Sequence, residues 1–161
     1  EIPAKRTQTY RYCHWLSHKR GIAFKSPPRH LFNPLPLLRL AVSLDADLAA
    51  IRVIYNHVWG AGQDADTPES LRALADTLGI DDLESRMADQ AVKDTLRANT
   101  EQAIERGVFG VPTFVVGSEL FWGDDVTELM FEYLDDPYLF TKGDFDRLDK
   151  ITVGAQRKRE V

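Results

Sequence analysis

The stretch that decides the fold is Gly107-Val108-Phe109-Gly110-Val111-Pro112-Thr113-Phe114-Val115-Val116, followed after Gly117-Ser118 by Glu119-Leu120-Phe121-Trp122. Its β-branched and aromatic residues predict two strands, because such side chains fit a pleated surface. The Gly117-Ser118 pair predicts a tight turn that joins the strands into a hairpin. Since an isolated hairpin is marginally stable in water, we expect further strands that are either missing from this sequence or supplied by another chain.

The residues before this stretch are predicted to be almost entirely helical. Either Asp45 or Asp47 caps a central helix that extends to about Trp59. The apolar stripe of that helix is predicted to be buried and consists of Leu48, Ile51, Tyr55 and Val58. The other predicted helices cover about 3–20, 67–79, 82–89 and 91–106. Four prolines lie in 22–36, which predicts an extended segment there.

The order of these elements divides the chain into three parts. Residues 1–106 form a mainly helical lobe, residues 107–135 form a ββα unit, and residues 136–161 form a polar tail. The basic run 157–159 is interpreted as the frayed end of that tail. A helix-rich chain that ends in ββα is typical of the second half of an α/β domain.

Composition excludes several classes of function. The 161 residues carry a net charge of −5, so no broad cationic field is available for nucleic acid. No apolar run is long enough to span a membrane. Cys13 is the only cysteine, which rules out an internal disulfide and favours a cytoplasmic location. No metal site is expected, because His14 and His18 share a helix face without a third ligand nearby. The chain begins at Glu1 without a methionine, which suggests a sequence that starts within a longer protein.

The Val111-Pro112 pair is a candidate ligand-binding feature. Proline gives no N–H, and here it begins a strand directly after a glycine-bounded loop. A cis bond would turn the Val111 N–H and C=O outward, where they could pair with an extended, peptide-like ligand. The alternative is an ordinary trans proline that ends the loop.

A second candidate is the start of the last helix at Gly123-Asp124-Asp125. Free N–H groups at a helix start bind carboxylates, and an adjacent aspartate could hold an ammonium group, so a zwitterionic amino-acid group would fit. The alternative is a plain capping box in which Asp125 and Glu128 cap the helix.

The block 107–125 resembles 2-hydroxychromene-2-carboxylate isomerase, which groups with the kappa-class glutathione transferases and the DsbA-like oxidoreductases. The segments Pro27-Pro28-Arg29-His30 and Leu96-Arg97-Ala98-Asn99-Thr100 resemble the same family less specifically, and the likeness covers about 3–135. The resemblance implies a thioredoxin-like α/β fold in which 1–106 is a helical insertion and 107–135 the C-terminal ββα. The strand-helix-strand unit that carries the family's catalytic serine is absent from this sequence, so no residue here takes that role.

The resemblance also implies a cofactor and a set of site residues. Glutathione is expected to lie against Val111, which precedes a cis-proline, Pro112. Its γ-glutamyl end is expected at Trp122, Gly123, Asp124 and Asp125, and His30 falls in the loop that faces the aromatic small-molecule substrate.

The implied activity is a glutathione-dependent isomerisation of 2-hydroxychromene-2-carboxylate and trans-o-hydroxybenzylidenepyruvate in aromatic catabolism, by a possible homodimer. The alternatives are a kappa-type glutathione transferase, a thiol–disulfide oxidoreductase with a CxxC motif upstream, and a non-enzymatic helical interaction module.

Overall fold

A computed structural model describes residues 2–152 and 154 of the chain. These residues divide into two compact units, Glu1–Gln102 and Ala103–Val161, and each is described by itself. Every regular element that the structure describes between residues 3 and 106 is helical, as the sequence predicts.

The helices of the first unit follow the capping signals in the sequence. Helix α1 covers Pro3–Arg20 and has proline in its first turn. It ends at Gly21, whose φ of 64° is the left-handed conformation that glycine adopts without steric cost. The helices that follow are α2 (Leu35–Ser43), α3 (Leu48–Tyr55), α4 (Pro68–Leu78), α5 (Leu83–Ala88) and α6 (Gln90–Glu105).

The central helix begins at one of the two predicted caps and ends irregularly. Asp47 is the cap of α3, and its side chain accepts a hydrogen bond from Ala50 N–H. After Tyr55 the helix continues as a π-turn over Asn56–Gly60. The predicted end near Trp59 is therefore close to the observed one.

The stripe predicted to be buried on this helix is partly wrong. Leu48 is 74% exposed and Tyr55 is 64% exposed, whereas Ile54 and Val58 are buried. The reason is that Ile54 and Val58, four residues apart, define the face that meets the core, and Tyr55 lies about 100° away from Ile54 around the helix axis. The buried core of this unit consists of Leu37, Leu40, Ile54, Val58, Ala65, Leu71, Leu74, Ala75, Ile80 and Leu83.

The second unit contains the hairpin and the last helix. Strand β1 (Thr113–Val116) pairs antiparallel with β2 (Glu119–Trp122), and Thr113 lies opposite Trp122. The sequence places the start of this strand at Pro112, and the observed strand begins one residue later at Thr113. Residues 108–112 have no partner strand among the residues that the structure describes. Helix α7 covers Thr127–Asp135.

Aromatic packing supports the hairpin from one side. Phe121 is buried and its ring lies 5.5 Å from that of Tyr133 on α7. The ring of Tyr133 stacks on Phe140 at 5.0 Å. Phe140 belongs to the segment predicted as a tail, which contains two 3₁₀ turns, Leu139–Thr141 and Phe145–Lys150. The basic run 157–159 lies outside the described residues.

A pair of leucine substitutions tests where the core of the first unit lies. Leu40 has no exposed surface, so we expect Leu40→Ala to lower the free energy of unfolding by about 2–5 kcal/mol. Leu48→Ala removes the same atoms from a mostly exposed site and should change it by less than about 0.5 kcal/mol. Urea denaturation of both variants measures the difference, and similar losses would contradict the assigned core.

Candidate functional site

The loop before strand β1 presents an unpaired backbone edge. The Val111–Pro112 peptide bond is cis, as the family resemblance implies. Val111 is 87% exposed. Its N–H and C=O make no hydrogen bond to any residue that the structure describes. Two backbone groups of one residue are therefore available to an extended ligand.

The end of strand β2 lies directly beside this edge. Gly123 N–H donates a hydrogen bond to the Pro112 carbonyl oxygen at 2.9 Å. Because Trp122 is also opposite Thr113 in the hairpin, the two stretches singled out separately in the sequence form one continuous surface.

Trp122 forms a wall of this surface. Its ring lies 5.2 Å from that of Phe109, and both side chains are exposed. A β-carbon on Gly110 would collide with the Trp122 indole, so glycine at this position lets the ring approach the loop closely. The arrangement provides an apolar surface next to the Val111 backbone.

The start of helix α7 differs from the predicted capping box. The helix begins at Thr127, its N-cap is Val126, and no side chain caps it. Asp125 therefore is not the cap, because a turn separates it from the helix. Its carboxylate instead lies against Gly123, where a β-carbon would collide with Oδ1. The Gly123 φ of 102° also favours glycine.

The two aspartates after Gly123 have different surroundings. Asp125 is exposed and makes no ion pair with the residues that the structure describes, whereas Asp124 already has an interaction partner. The Asp124 carbonyl oxygen also accepts a hydrogen bond from Thr127 Oγ1 at 2.7 Å. Of the two, Asp125 is the carboxylate available to an ammonium group.

His30 lies in the first unit, whereas the other predicted site residues lie in the second. Its Nδ1 is 2.6 Å from Tyr10 Oη, and Arg6 Nε donates to the same phenol oxygen at 3.0 Å. Its ring contacts those of Phe32 and Trp59, with centroids 5.6 and 5.3 Å away. The imidazole is therefore held in position by both polar and aromatic contacts.

Two clefts lie around this aromatic cluster. His30 lines a cleft of about 430 Å³ together with residues of α1. Phe32 and Trp59 line a second, apolar cleft of about 400 Å³ between α2 and α3. Both volumes fall in the range of small-molecule sites.

An ion-pair cluster fixes the proline-rich loop that carries His30. Arg29 donates from Nε and Nη2 to the two carboxylate oxygens of Asp64, at 2.9 and 2.7 Å. Arg29 also pairs with Asp66, whose carboxylate accepts from Asn33 N–H at 2.9 Å. A bidentate guanidinium–carboxylate pair is the most directional ion pair available to a protein.

The cluster changes the pKa of Asp64. The hydrogen bonds from Arg29 hold the pKa of the Asp64 carboxyl well below its usual range. The same contacts raise the pKa of Arg29. The pair is therefore fully charged near neutral pH.

The hydrogen-bond partners of His30 and the ion-pair cluster around Arg29 were not predicted from the sequence. Tyr10 and Arg6 lie twenty or more positions before His30, so no local motif joins them. Asp64 and Asp66 lie more than thirty residues after Arg29. The sequence contains Arg29 within a proline-rich loop, but nothing local to it indicates which acidic residues it contacts.

The model of the DSBA-like thioredoxin domain matches residues 2–135. The chain belongs to this family. Its fold is accordingly the DsbA-like thioredoxin fold, here mostly helical with a small two-stranded sheet. Among the described residues, no helix is both long and apolar enough to cross a membrane.

Individual proteins of the family are similar over part of their length. The chain is 42% identical over 80 residues to 2-hydroxychromene-2-carboxylate isomerase of Pseudomonas putida, which covers 48% of this chain and 39% of that protein. It is 28% identical over 99 residues to human glutathione S-transferase kappa 1, covering 56% and 44%. These similarities confirm the resemblance that residues 107–125 indicate.

A solved structure of 2-hydroxychromene-2-carboxylate isomerase superposes with a TM-score of 0.69. The sequences are 24% identical, and the match covers 92% of this chain and 72% of the other. This likeness supports the fold. The chain spans less than half the length of the curated relatives described above.

The Arg29 cluster predicts a pH-dependent contribution to stability. Because the folded-state pKa of Asp64 lies below its unfolded value, the pair stabilises the folded state above about pH 4 and this stabilisation is lost as pH falls further. We expect Arg29→Gln to lower the free energy of unfolding at pH 7. At pH 3 the free energies of unfolding of variant and wild type should differ less.

Urea denaturation at pH 7, 5 and 3 provides the measurement. Arg72→Gln is the control, because Arg72 pairs with the exposed Glu69 at 3.5 Å. A difference between Arg29→Gln and wild type that stays constant with pH would show that the carboxylates do not depend on Arg29.

Proposed function

We propose that the protein is a glutathione-dependent isomerase that interconverts 2-hydroxychromene-2-carboxylate and trans-o-hydroxybenzylidenepyruvate in aromatic catabolism. Its partial identity to isomerases that carry this name supports the proposal. The whole protein's activity and substrate are part of the proposal, since the match covers less than half of each of those relatives.

The observation that carries the proposal is the single surface formed by Val111, Gly123 and Asp125. It combines an unpaired backbone edge, a position without a side chain and an available carboxylate. Glutathione is a short peptide whose γ-glutamyl end carries a carboxylate and an ammonium group, and the peptide backbone and both groups of this end have a counterpart on the surface. The residues present therefore fit this cofactor.

Each group on the surface has a role in the proposed complex. The Val111 N–H and C=O pair with the backbone of the cysteinyl residue, beside Pro112. Trp122 covers the peptide, and the backbone after Gly123 receives the γ-glutamyl carboxylate. Asp125 holds the ammonium group, with Asp124 beside it.

The proposed chemistry requires little covalent participation from this chain. When bound, glutathione would supply a thiolate that adds reversibly to the substrate double bond. The addition converts this bond into a single bond, which can rotate before the thiolate leaves and the double bond forms again. The residues named above orient the tripeptide, which lowers the entropic cost of bringing the reactants together. No residue of this chain is assigned the catalytic serine's role.

His30 is the proposed substrate-facing residue. Its ring is held by Tyr10 and by aromatic neighbours, so its position is defined before a substrate arrives. An aromatic substrate could contact the ring by stacking.

A second candidate function is a kappa-type glutathione transferase. The 28% identity to human glutathione S-transferase kappa 1 favours it, and it would use the same cofactor with a different electrophile. Assaying the purified protein with 2-hydroxychromene-2-carboxylate and with 1-chloro-2,4-dinitrobenzene, each with glutathione, separates the two. We further propose a cytoplasmic location, in line with the single Cys13, and a homodimeric state.

Asp125→Asn tests the proposed ammonium contact. The substitution keeps the size of the side chain and removes its charge, so we expect glutathione to bind about tenfold more weakly, which corresponds to about 1.4 kcal/mol. Little change in melting temperature is expected, because Asp125 does not cap α7. Titration calorimetry gives the affinity.

Two controls make the result specific. Asp135→Asn removes the same charge from the far end of α7 and should leave glutathione affinity unchanged. Glutaryl-cysteinylglycine lacks the ammonium group and should bind wild type and Asp125→Asn equally. Wild-type affinity of Asp125→Asn for glutathione would exclude this contact, and absence of glutathione binding by wild type would overturn the proposed function.

A further inference from the structure

A third cleft of the first unit lies between the end of α3 and helix α4 and has a volume of about 360 Å³. Its polar lining consists of Asn56, His57, Gln63 and Thr77, and no aspartate, glutamate, lysine or arginine lines it. Burial lowers the pKa of the His57 imidazole, so this ring is also neutral near pH 7. A charged ligand would lose water here without meeting an opposite charge in the lining. The cleft therefore favours an uncharged ligand.

The neighbours of His57 determine which of its ring nitrogens carries the proton. His57 Nε2 lies 2.8 Å from Ser70 Oγ, and the Ser70 hydroxyl donates its proton to the Asp64 carbonyl oxygen. Because a hydroxyl has one proton, Ser70 accepts from the imidazole, which places the ring proton on Nε2. Nδ1 then keeps its lone pair, and it accepts no hydrogen bond from the residues that the structure describes. Nδ1 is thus the ring nitrogen that can accept from a ligand.

Two side-chain amides supply further donors and acceptors. The amides of Asn56 and Gln63 make no hydrogen bond to the part of the chain that the structure describes. Gln63 N–H donates to the His57 carbonyl oxygen at 3.0 Å, which fixes its backbone beside the histidine. A β-carbon on Gly60 would collide with Asn56 Oδ1, so glycine leaves room for this amide at the π-turn. Turns of this kind inside helices are frequent at functional sites.

The other residues that line the cleft are apolar and favour a flat ring. They are Val53, Ala61, Ala73 and Leu74. Leu74 has no exposed surface, so its position is set by the core of the unit. A planar, uncharged ring with donors and acceptors along one edge would pack on these side chains and hydrogen-bond to the amides. Nucleobases have this chemistry, and side-chain amides pair with adenine through two hydrogen bonds.

We propose that this cleft binds a nucleobase, with His57 Nδ1 and the amides of Asn56 and Gln63 contacting its polar edge. Ser70 is a positioning residue, because it holds the ring proton of His57 on Nε2. The cleft suits a single base, since no cation lines it to hold phosphates. The inference goes beyond the proposed function and does not depend on it.

Titration calorimetry of the purified protein with adenine tests the site. We expect Gln63→Leu to weaken binding about fivefold, because the amide's hydrogen bonds to the base are lost. The matched control is Gln102→Leu, since Gln102 is an exposed glutamine on α6 and does not line the cleft. This control should leave the affinity within about twofold of wild type. Circular dichroism checks that both variants are folded.

A second ligand separates hydrogen bonding from apolar burial. 1-Methylindole has two fused rings like adenine but no hydrogen-bond donor, so we expect it to bind about tenfold more weakly than adenine. Affinity for 1-methylindole equal to that for adenine would overturn the nucleobase as the ligand class.

Nuclear magnetic resonance of protein with ¹⁵N-labelled histidine tests the role of Ser70. Wild-type His57 should carry its proton on Nε2, and adenine should shift its Nδ1 resonance while those of His14 and His18 stay unchanged. Ser70→Ala should give a mixture of both His57 tautomers and bind adenine about threefold more weakly. A purely structural role of Ser70 would leave the tautomer unchanged, and this result would overturn its assignment as a positioning residue.

The remaining outcomes decide the site itself. No binding of adenine by wild type, or equal affinities of Gln63→Leu and Gln102→Leu, would overturn it. The result is independent of the glutathione surface, since Gln63→Leu should leave glutathione affinity unchanged. If glutathione binds and adenine does not, only this inference fails. If adenine binds as described and glutathione does not, the site stands and the proposed function fails.

Discussion

The pairing of one guanidinium with two carboxylates holds the helical unit's candidate site in place. The segment between α1 and α2 contains no regular element, so its own backbone cannot define its course. Arg29 ties this segment to Asp64 and Asp66, and Lys25 N–H donates to the Trp59 carbonyl oxygen at 2.7 Å. His30 follows Arg29 directly, so the ion-pair cluster determines where the imidazole lies. An exposed ion pair contributes little to stability, but a bidentate one specifies position well.

The candidate site of the second unit consists mainly of backbone groups, whereas that of the first unit consists of side chains. Its surface depends on the Val111 amide and carbonyl, which the hairpin leaves unpaired because pairing begins at Thr113. Glycine is also required at two positions of this surface. A side chain at position 110 would collide with Trp122, and one at position 123 would collide with Asp125. A surface of this kind recognises a peptide by its main chain, and the adjacent carboxylate adds selectivity for an ammonium group.

Local signals explain which parts of the structure could be predicted from the sequence. Pro3 and Gly21, Thr67 and Gly79, and the Gly117-Ser118 turn each act within a few residues, so helices α1 and α4 and the hairpin were predicted close to their observed bounds. Helix α2, which begins at Leu35 within the proline-rich region, was not predicted as a helix. The family resemblance, and not periodicity, predicted the cis bond before Pro112.

The failures have a common origin in contacts between distant residues. The buried face of α3 depends on how α2 and α4 pack around it, which the helix's own sequence does not contain. The start of α7 two residues after Asp125 depends on the turn at Gly123. The contact between Tyr10 and His30 has the same origin, because the course of a loop brings the two side chains together.

An isomerase and a transferase of this family would differ in how they hold the electrophile. Both would use the same surface for glutathione, so that surface cannot distinguish them. The distinction must come from residues that contact the electrophile, because an isomerase has to hold a rotating, anionic substrate while a transferase does not.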